Sequence, residues 1–326
     1  MKRRQFVHAA GGISLAVMAW GASAQSAPYP TKPIRIIVSS AAGALLDSSS
    51  RLYADRMSQY LKQPVVVEDM PGASSMLGAR YVARSAADGY TLLAFANTVV
   101  TMPHLVKGAG YDFGKDFVAV GEMARSPGLL VVGGSSPFKT LGDLVGAARK
   151  KAGEVTFGSA GQGSTSHLPV ELFVKSAGIR LTHVPYKGLA PVIPDVISGR
   201  VSCMMGTATS LVGSIQAGTL RALAISSESR SAKFPNVPTF KELGYPEATY
   251  SIFVGLAAPA GIPNAVRAKL AEAMEAARSD ETLQARLAAL DQEVSNVRTP
   301  DQFQAFLIAE EKRTVKLIND ANIQPE

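Results

Sequence analysis

Short β-branched runs alternate along the chain with longer stretches in which apolar residues recur at helical spacing. Ile34–Val38 is the first such run, and its length and composition favour a buried strand over a helix. Tyr53 and Met57 then fall four residues apart, after Asp47 and a run of serines that suit a first helical turn. The alternation recurs in residues 64–96 and 155–177. Strands and helices in alternation predict an α/β fold built on a largely parallel sheet.

Two loops of small residues each follow a predicted strand and precede a predicted helix. The first spans residues 39–44 and leads to Asp47, and the second spans residues 158–166 and leads to His167. Small side chains let a ligand approach the backbone, and the unpaired amides at a helix N-terminus favour an anion. A tight turn without a ligand is the alternative for the first loop. Together the loops predict two cups of amides and hydroxyls, one per domain, that close on an anion.

The length of the chain favours two domains, and the apolar pattern indicates how they are joined. Residues 117–125 and 129–132 are strand-like and mark a crossover, whereas residues 250–257 are typical of a strand that returns to the first domain. We predict a first domain of residues 25–124 plus 250–326 and a second domain of residues 125–249. Three C-terminal helices, with start signals at Asn264, Asp280 and Thr299, are expected to pack on the first domain.

The N-terminus is typical of a secretory signal peptide. Lys2, Arg3 and Arg4 form a basic start, residues 6–20 are mostly apolar, and residues 22–24 form a small-x-small cleavage site. We predict a signal peptide of residues 1–24 and export to the periplasm by the Sec or the twin-arginine route. After residue 24 no apolar run approaches the roughly 20 residues that cross a bilayer.

Composition and motifs exclude several classes of function. The formal net charge of +7 loses three positive charges with the signal peptide and leaves no long basic run, so nucleic-acid binding is not expected. Cys203 is the only cysteine, which excludes an intramolecular disulfide and predicts a buried small side chain. The histidines lack metal-ligand spacing, and no phosphate-loop, dinucleotide or nucleophile-elbow motif occurs. We therefore expect no metal, no cofactor and no catalytic residues; a cleft hydrolase is the weakest hypothesis.

A set of motifs connects the chain with one family. In chain order they are YPTKPIRIIV, AAG, QPVVVED, DGYTLL, YDFGKDF, GQGSTSHL, HVPYKG, AGTLRALA and FVGLAAPAGIP. On these motifs the chain resembles the periplasmic solute receptors of tripartite tricarboxylate transporters, the Bug receptors, over nearly all of residues 29–326. The resemblance implies a two-lobed periplasmic-binding-protein (type II, Venus-flytrap) fold with two crossover strands. It also implies delivery of small carboxylates to a permease of one large and one small membrane subunit. We expect the receptor itself to be a monomer.

The resemblance also implies the position of the ligand. In the family, the loops that match residues 39–47 and 158–167 hold carboxylates through backbone amides, hydroxyls and water. The expected ligand-binding residues are Ser39, Ala41, Ala42, Gly43, Ala44, Leu45, Asp47, Asn97, Ser159, Gly163, Ser164, Thr165, Ser166, His167, Thr207 and Phe253.

The first loop departs from the family pattern. Ala44, Leu45 and Leu46 stand where relatives have two glycines and a threonine. Added apolar bulk predicts an aromatic or aliphatic mono- or dicarboxylate rather than citrate, aspartate or glutamate, because a leucine wall leaves polar substituents unpaired. The alternative is that both leucines pack beneath the helix. A periplasmic sensor that presents its ligand-bound form to a signalling partner is the second hypothesis for the function.

Overall fold

The computed structural model describes residues 28–325, so the predicted signal peptide lies outside the described part of the chain. The first half contains β1 (Ile34–Val38), α1 (Leu45–Leu61), β2 (Val65–Asp69), α2 (Met76–Ala83), β3 (Thr91–Ala96), α3 (Asn97–Thr101), α4 (Phe113–Asp116), β4 (Phe117–Gly133), α5 (Leu141–Lys150) and β5 (Thr156–Ser159). The second half contains α6 (Leu168–Ala177), β6 (Thr182–Pro185), α7 (Val192–Ile197), β7 (Cys203–Thr207), α8 (Ala208–Gln216), β8 (Leu220–Ile225), β9 (Ser251–Pro259), α9 (Asn264–Arg278), α10 (Glu281–Ala289), β10 (Glu293–Val294) and α11 (Pro300–Asp320).

The strands form one path in the order β2-β1-β3-β9-β4-β7-β5-β6, and β8 and β10 also pair with β4. Strand β1 is parallel to β2 and β3, and β5 is parallel to β6 and β7. Only the pairs that involve β4 or β9 are antiparallel among the described strands. The prediction of an α/β fold is confirmed. Each half has three adjacent parallel strands, but the antiparallel pairs of β4 and β9 make the sheet mixed rather than largely parallel.

The long strand β4 joins two lobes. Its residues 117–127 pair with β9 in the first lobe, and its residues 128–133 pair with β7 and β8 in the second. The chain comes back at Tyr250, whose amide donates to the carbonyl of Ser226, while the amide of Ser226 donates to the carbonyl of Gly128. The two lobes are thus linked by two crossing segments that lie side by side.

Each lobe buries apolar side chains on both faces of its sheet. In the first lobe Tyr53 and Met57 of α1 are fully buried on one face, and Phe95 and Phe303 are fully buried on the other. The second lobe has equivalent clusters around α5 with α6 and around α7 with α8. Cys203 is buried there as predicted, and burial raises the pKa of its thiol to about 12.

The C-terminal helices begin where the sequence predicts. Helix α9 starts at Asn264, and the Asp280 carboxylate accepts the Leu283 amide at the start of α10. Thr299 and Gln302 form a reciprocal capping box at the start of α11, with a proline at the first helical position. Helices α9 and α11 pack on β4 in the first lobe, so these elements are structural as expected.

Candidate interlobe binding site

A cavity of about 890 Å³ lies between the lobes and is lined by residues of both. It is bounded by segments that follow the carboxyl ends of β1, β2, β5 and β6, which is where ligands bind in sheets of this kind. The lining residues are Ser39, Ser40, Pro71, Gly72, Ala73, Ser74, Ser75, Met76, Met102, Leu105, Val106, Ala160, Gly161, Gln162, Pro185, Tyr186, Lys187 and Gly188. Both predicted loops therefore contribute to one cavity.

The first loop presents a hydroxyl that lacks a partner. Ser39 is almost fully buried and its hydroxyl donates to the carbonyl of Ala94 at 3.2 Å, so it fixes the loop to β3. Ser40 is half-buried and lines the cavity, and its hydroxyl oxygen is buried with no hydrogen-bond partner among residues 28–325. A buried polar atom without a partner is costly, so Ser40 indicates where a polar group of a ligand or a water completes the site.

Asp47 holds the first loop in shape. Its Oδ2 accepts the amide of Gly43 at 2.7 Å, and its Oδ1 lies 2.6 Å from the Arg51 Nε. Arg51 also donates to Asp69 at 2.8 Å, so one guanidinium stands beside two carboxylates. Desolvation, and then the charge of Asp47, raise the pKa of Asp69. Both oxygens of the Asp47 carboxylate therefore have partners in the protein, and Asp47 does not line the cavity.

The second loop is held by a network of its own side chains. The Ser159 hydroxyl lies 2.6 Å from Nε2 of His183, and His167 Nδ1 accepts the amide of Gly163 at 3.0 Å. The Ser166 hydroxyl accepts the amide of Ala160 at 2.8 Å. Several hydroxyls and amides that were expected to bind the ligand therefore form hydrogen bonds within the protein. These bonds fix the shape of the loop that faces the cavity.

The two histidines of this network stack on each other, with His167 buried and His183 half-buried. Desolvation, with a further contribution from the charge on His167, lowers the pKa of His183 from 6.5 to about 3. His183 is therefore neutral at the pH of the periplasm. Ser159 is fully buried, so the serine–histidine contact supports the loop and does not expose a nucleophile.

Other predicted site residues lie near the cavity without lining it. Ala41, Ala42 and Gly43 are exposed on the first loop, and Ala44 is the residue before α1. On the second loop Ser164 pairs with Ser166 at 3.0 Å and Thr165 is partly exposed. Thr207 precedes α8, with its hydroxyl 3.0 Å from that of Ser210. Their contact with a ligand stays a prediction.

Asn97 performs a structural task in this conformation. It is 3% exposed, its amide group donates to the carbonyl of Ser251 at 3.3 Å, and its Oδ1 accepts the amide of Phe253 at 3.0 Å. These bonds fasten the end of β3 to the start of β9, close to the second crossing segment. A ligand that used Asn97 would first have to release these backbone groups.

The apolar residues expected at the ligand pack into the first lobe in this structure, so their contact with a ligand stays a prediction. The sequence places Phe253 at the cleft, but its ring is fully buried against Phe95 and Phe303 in the core of the first lobe. Leu46 is 5% exposed and belongs to the opposite core cluster, and Leu45 packs against that cluster. Neither leucine lines the cavity, because the helical turn directs both of them towards the sheet.

The apolar wall is instead formed by residues that sequence reasoning missed. Met76 begins α2, and Met102, Leu105 and Val106 follow α3. Residues 71–75 form a second unpredicted wall, in which Ala73, Ser74 and Ser75 all have positive φ. The signal that could have found them is positional, since these segments follow the carboxyl ends of β2 and β3.

The lobes touch each other at the edge of the cavity. A Cβ atom on Gly163 would lie 2.1 Å from the Leu105 Cδ1, so only glycine permits this contact, and its φ of +70° also favours glycine. Nearby, the Gln162 side chain donates to the carbonyl of Gln324 at 2.7 Å. The second loop therefore contacts both the apolar wall and the C-terminal segment of the first lobe.

Within residues 28–325 no cluster of three potential metal-ligating side chains occurs, and no helix combines the length and apolarity of a membrane span. Two α/β lobes, two crossing segments and a cavity between the lobes define a periplasmic binding protein. Residues 50–323 match the family model described as the tripartite tricarboxylate transporter family receptor, and the chain belongs to this family.

Solved structures agree with this assignment. The periplasmic binding protein BugD is 31% identical with a TM-score of 0.80, over 91% of this chain and 100% of that one. Rpa4515 of R. palustris, solved with adipate, is 31% identical with a TM-score of 0.82, over 92% and 100%. MatC of Rhodopseudomonas palustris, solved with malate, is 28% identical with a TM-score of 0.79, over 89% and 100%. The prediction of the family and of its two-lobed fold is confirmed, and these similar proteins are binding proteins.

Proposed function

We propose that this protein is a periplasmic receptor that captures a small carboxylate in the interlobe cavity and delivers it to a tripartite tricarboxylate transporter permease. The observation that carries the proposal is Ser40, a residue that lines a cavity of about 890 Å³ and whose buried hydroxyl has no partner among the described residues. A polar ligand group supplies that partner. The adipate and malate in the similar structures support a carboxylate as the ligand class.

The walls of the cavity favour an acid with an apolar body. Met76, Met102 and Leu105 face small and hydroxyl-bearing residues, and the described lining contains no carboxylate. An ammonium group would therefore find no counter-charge, and hydroxyls on the part of the ligand that contacts Met76, Met102 and Leu105 would find no partner. Leaving a polar group unpaired costs about 1–3 kcal/mol, or roughly tenfold to a hundredfold in affinity. We propose an aromatic or aliphatic mono- or dicarboxylate as the ligand. In this structure Met76, Met102 and Leu105, rather than Leu45 and Leu46, provide the apolar surface for its body.

Export, domain division and assembly are parts of the same proposal. We assign residues 1–24 to a cleaved signal peptide, residues 25–124 plus 250–326 to the first domain, and residues 125–249 to the second. The receptor acts as a monomer, without catalysis and without a cofactor. Large and small membrane subunits are its partners.

A thermal-shift panel tests the ligand class. A ligand at a hundred times its dissociation constant adds about 2.7 kcal/mol of stability, and each kcal/mol raises the melting temperature by roughly 2–4 °C in a domain of some 200 residues. We expect adipate, phthalate or benzoate to give larger shifts than citrate, aspartate or glutamate. The opposite ranking would contradict the apolar body, and the absence of any shift across the panel would contradict the function.

Two tryptophan variants locate the ligand. Ala160→Trp places a large ring in the cavity, whereas Ala217→Trp adds the same ring at an exposed position after α8 in the same lobe. We expect the first variant to lose the ligand-induced shift and the second to keep it. Loss in both variants, or in neither, would place the ligand elsewhere.

A further inference from the structure

Lys187 is exposed to solvent and, among residues 28–325, is the only charged residue that lines the interlobe cavity. It lies in the loop that leads from β6 to α7, a segment that none of the sequence predictions assigned to the site. Its neighbour Gly188 has a φ of +108°, and a Cβ atom at that position would meet no other atom within 4 Å, so the loop turns sharply in open space beside the lysine. One ammonium group therefore sets the sign of the charge in this part of the cavity.

The backbone that carries Lys187 is fixed. The amide of Tyr186 donates to the carbonyl of Ser159 at 3.0 Å, which ties this loop to the second predicted loop. The Tyr186 hydroxyl donates to the Asp195 carboxylate at 2.6 Å, and Asp195 also lies 3.0 Å from Arg200. The lysine thus extends from a rigid base, and the Asp195 carboxylate is already paired with another cation.

The charge of Lys187 is not neutralised by the protein. Within residues 28–325 Lys187 takes part in no salt bridge, whereas other lysines such as Lys151 and Lys175 do. The lining of the cavity also contains no carboxylate among the described residues. A single uncompensated cation in a concave site attracts anions and repels cations, and charge-assisted hydrogen bonds from an ammonium to a carboxylate are among the stronger ones.

We infer that Lys187 binds a carboxylate of the ligand and selects dicarboxylates over acids that carry an ammonium group. The ligand's apolar segment then lies along Met76, Met102 and Leu105, and its polar end reaches Ser40. This inference rests on the proposed function and names a specificity-determining residue for it.

Calorimetric titrations of adipate and of monomethyl adipate test the inference on three variants. Lys187→Met removes the charge, Lys187→Arg keeps it, and Lys150→Met removes a charge from the exposed end of α5 in the same lobe. We expect Lys187→Met to lose about tenfold in adipate affinity, as is typical of a hydrogen bond to a charged group. Lys187→Arg and Lys150→Met should stay within about threefold of the wild type.

The ester provides the second readout. In the wild type, adipate should bind more tightly than monomethyl adipate, and in Lys187→Met the difference should shrink. Unchanged melting temperatures of the unliganded variants show that folding is intact. A Lys187→Met variant with wild-type affinity, or an equal loss in Lys150→Met, would overturn the role of Lys187 and leave the proposed function standing. A wild-type protein that binds no carboxylate of the panel would overturn both.

Discussion

The imidazole rings of His167 and His183 stack face to face, with centroids 4.0 Å apart and planes 16° apart. Phe157 stacks against both histidines, with its centroid 4.8 Å from that of His183 and 5.8 Å from that of His167. Both histidines form hydrogen bonds with the loop that faces the cavity. His167 accepts the amide of Gly163, and His183 shares a hydrogen bond with the Ser159 hydroxyl. The second loop is therefore tied to both of the stacked histidines.

Acid should weaken the fold through His183. Its pKa is lowered from 6.5 to about 3, so between these values the unfolded chain binds more protons than the folded protein. The contribution of this group is complete above pH 6.5 and is lost as the pH falls towards 3. We expect urea midpoints to fall between pH 7.5 and pH 5, and to fall less in His183→Gln. An identical pH dependence in the variant would assign the effect to other groups.

Comparing Gly163→Ala with a control variant should separate the effect of the contact between the lobes from the effect of backbone strain. The new Cβ would meet the Leu105 side chain and also occupy a left-handed conformation. Gly178→Ala is the matched control, because Gly178 has a φ of +59° with no atom within 4 Å. Both variants should lose about 1–3 kcal/mol of stability from backbone strain. Isothermal titration should show weaker carboxylate binding only in Gly163→Ala, and equal affinities would mean that this contact is not needed for binding.

Ser40→Ala should affect binding without destabilising the fold. The hydroxyl is buried without a partner, so its removal relieves an unmade hydrogen bond in the unliganded protein. We expect an unchanged or slightly higher free energy of unfolding and a carboxylate affinity reduced by about three- to tenfold. Ser39→Ala is the comparison, because its hydroxyl has a partner in Ala94 and its loss should lower stability. A stability loss in Ser40→Ala would indicate a partner within the protein.

Asn97→Ala should act on stability first. The variant leaves the amide of Phe253 and the carbonyl of Ser251 without their partners in a buried position. Each unsatisfied group costs about 1–3 kcal/mol, which chemical denaturation resolves easily. If Asn97 instead contacts the ligand directly, affinity should fall more than stability does.

Ligand binding should shift the lobes towards the closed arrangement. The Gly163–Leu105 contact and the Gln162–Gln324 hydrogen bond both span the cavity edge, and both need the lobes to be close. Small-angle scattering should therefore show a smaller radius of gyration with saturating adipate than without it. Gln162→Ala, which lacks the hydrogen bond, should require more ligand for the same change. An unchanged radius at saturation would mean that the lobes do not move.

The sequence predicted the elements better than it predicted side-chain directions. The strand–loop–helix segments at residues 34–61 and 155–177 follow from period and composition, and capping boxes such as that of Thr299 mark helix starts. The burial of Leu46 and Phe253 depends on which way a turn or strand faces, and a change of one residue reverses that direction. The sequence alone indicates a core histidine at His183, and its partner Ser159 becomes visible only when β5 and β6 are paired.

Strand β4 also has a consequence for attempts to divide the molecule. Its 17 residues supply a strand to the sheet of each lobe without interruption. A fragment that ends before residue 117 lacks the partner of β9, and a fragment that begins after residue 133 lacks the partner of β7 and β8. The first lobe is therefore assembled from two separate pieces of chain, one before and one after the second lobe. Chimaeras that exchange one lobe between relatives must therefore be joined at both crossing segments, and a single fusion point will not transfer a complete sheet.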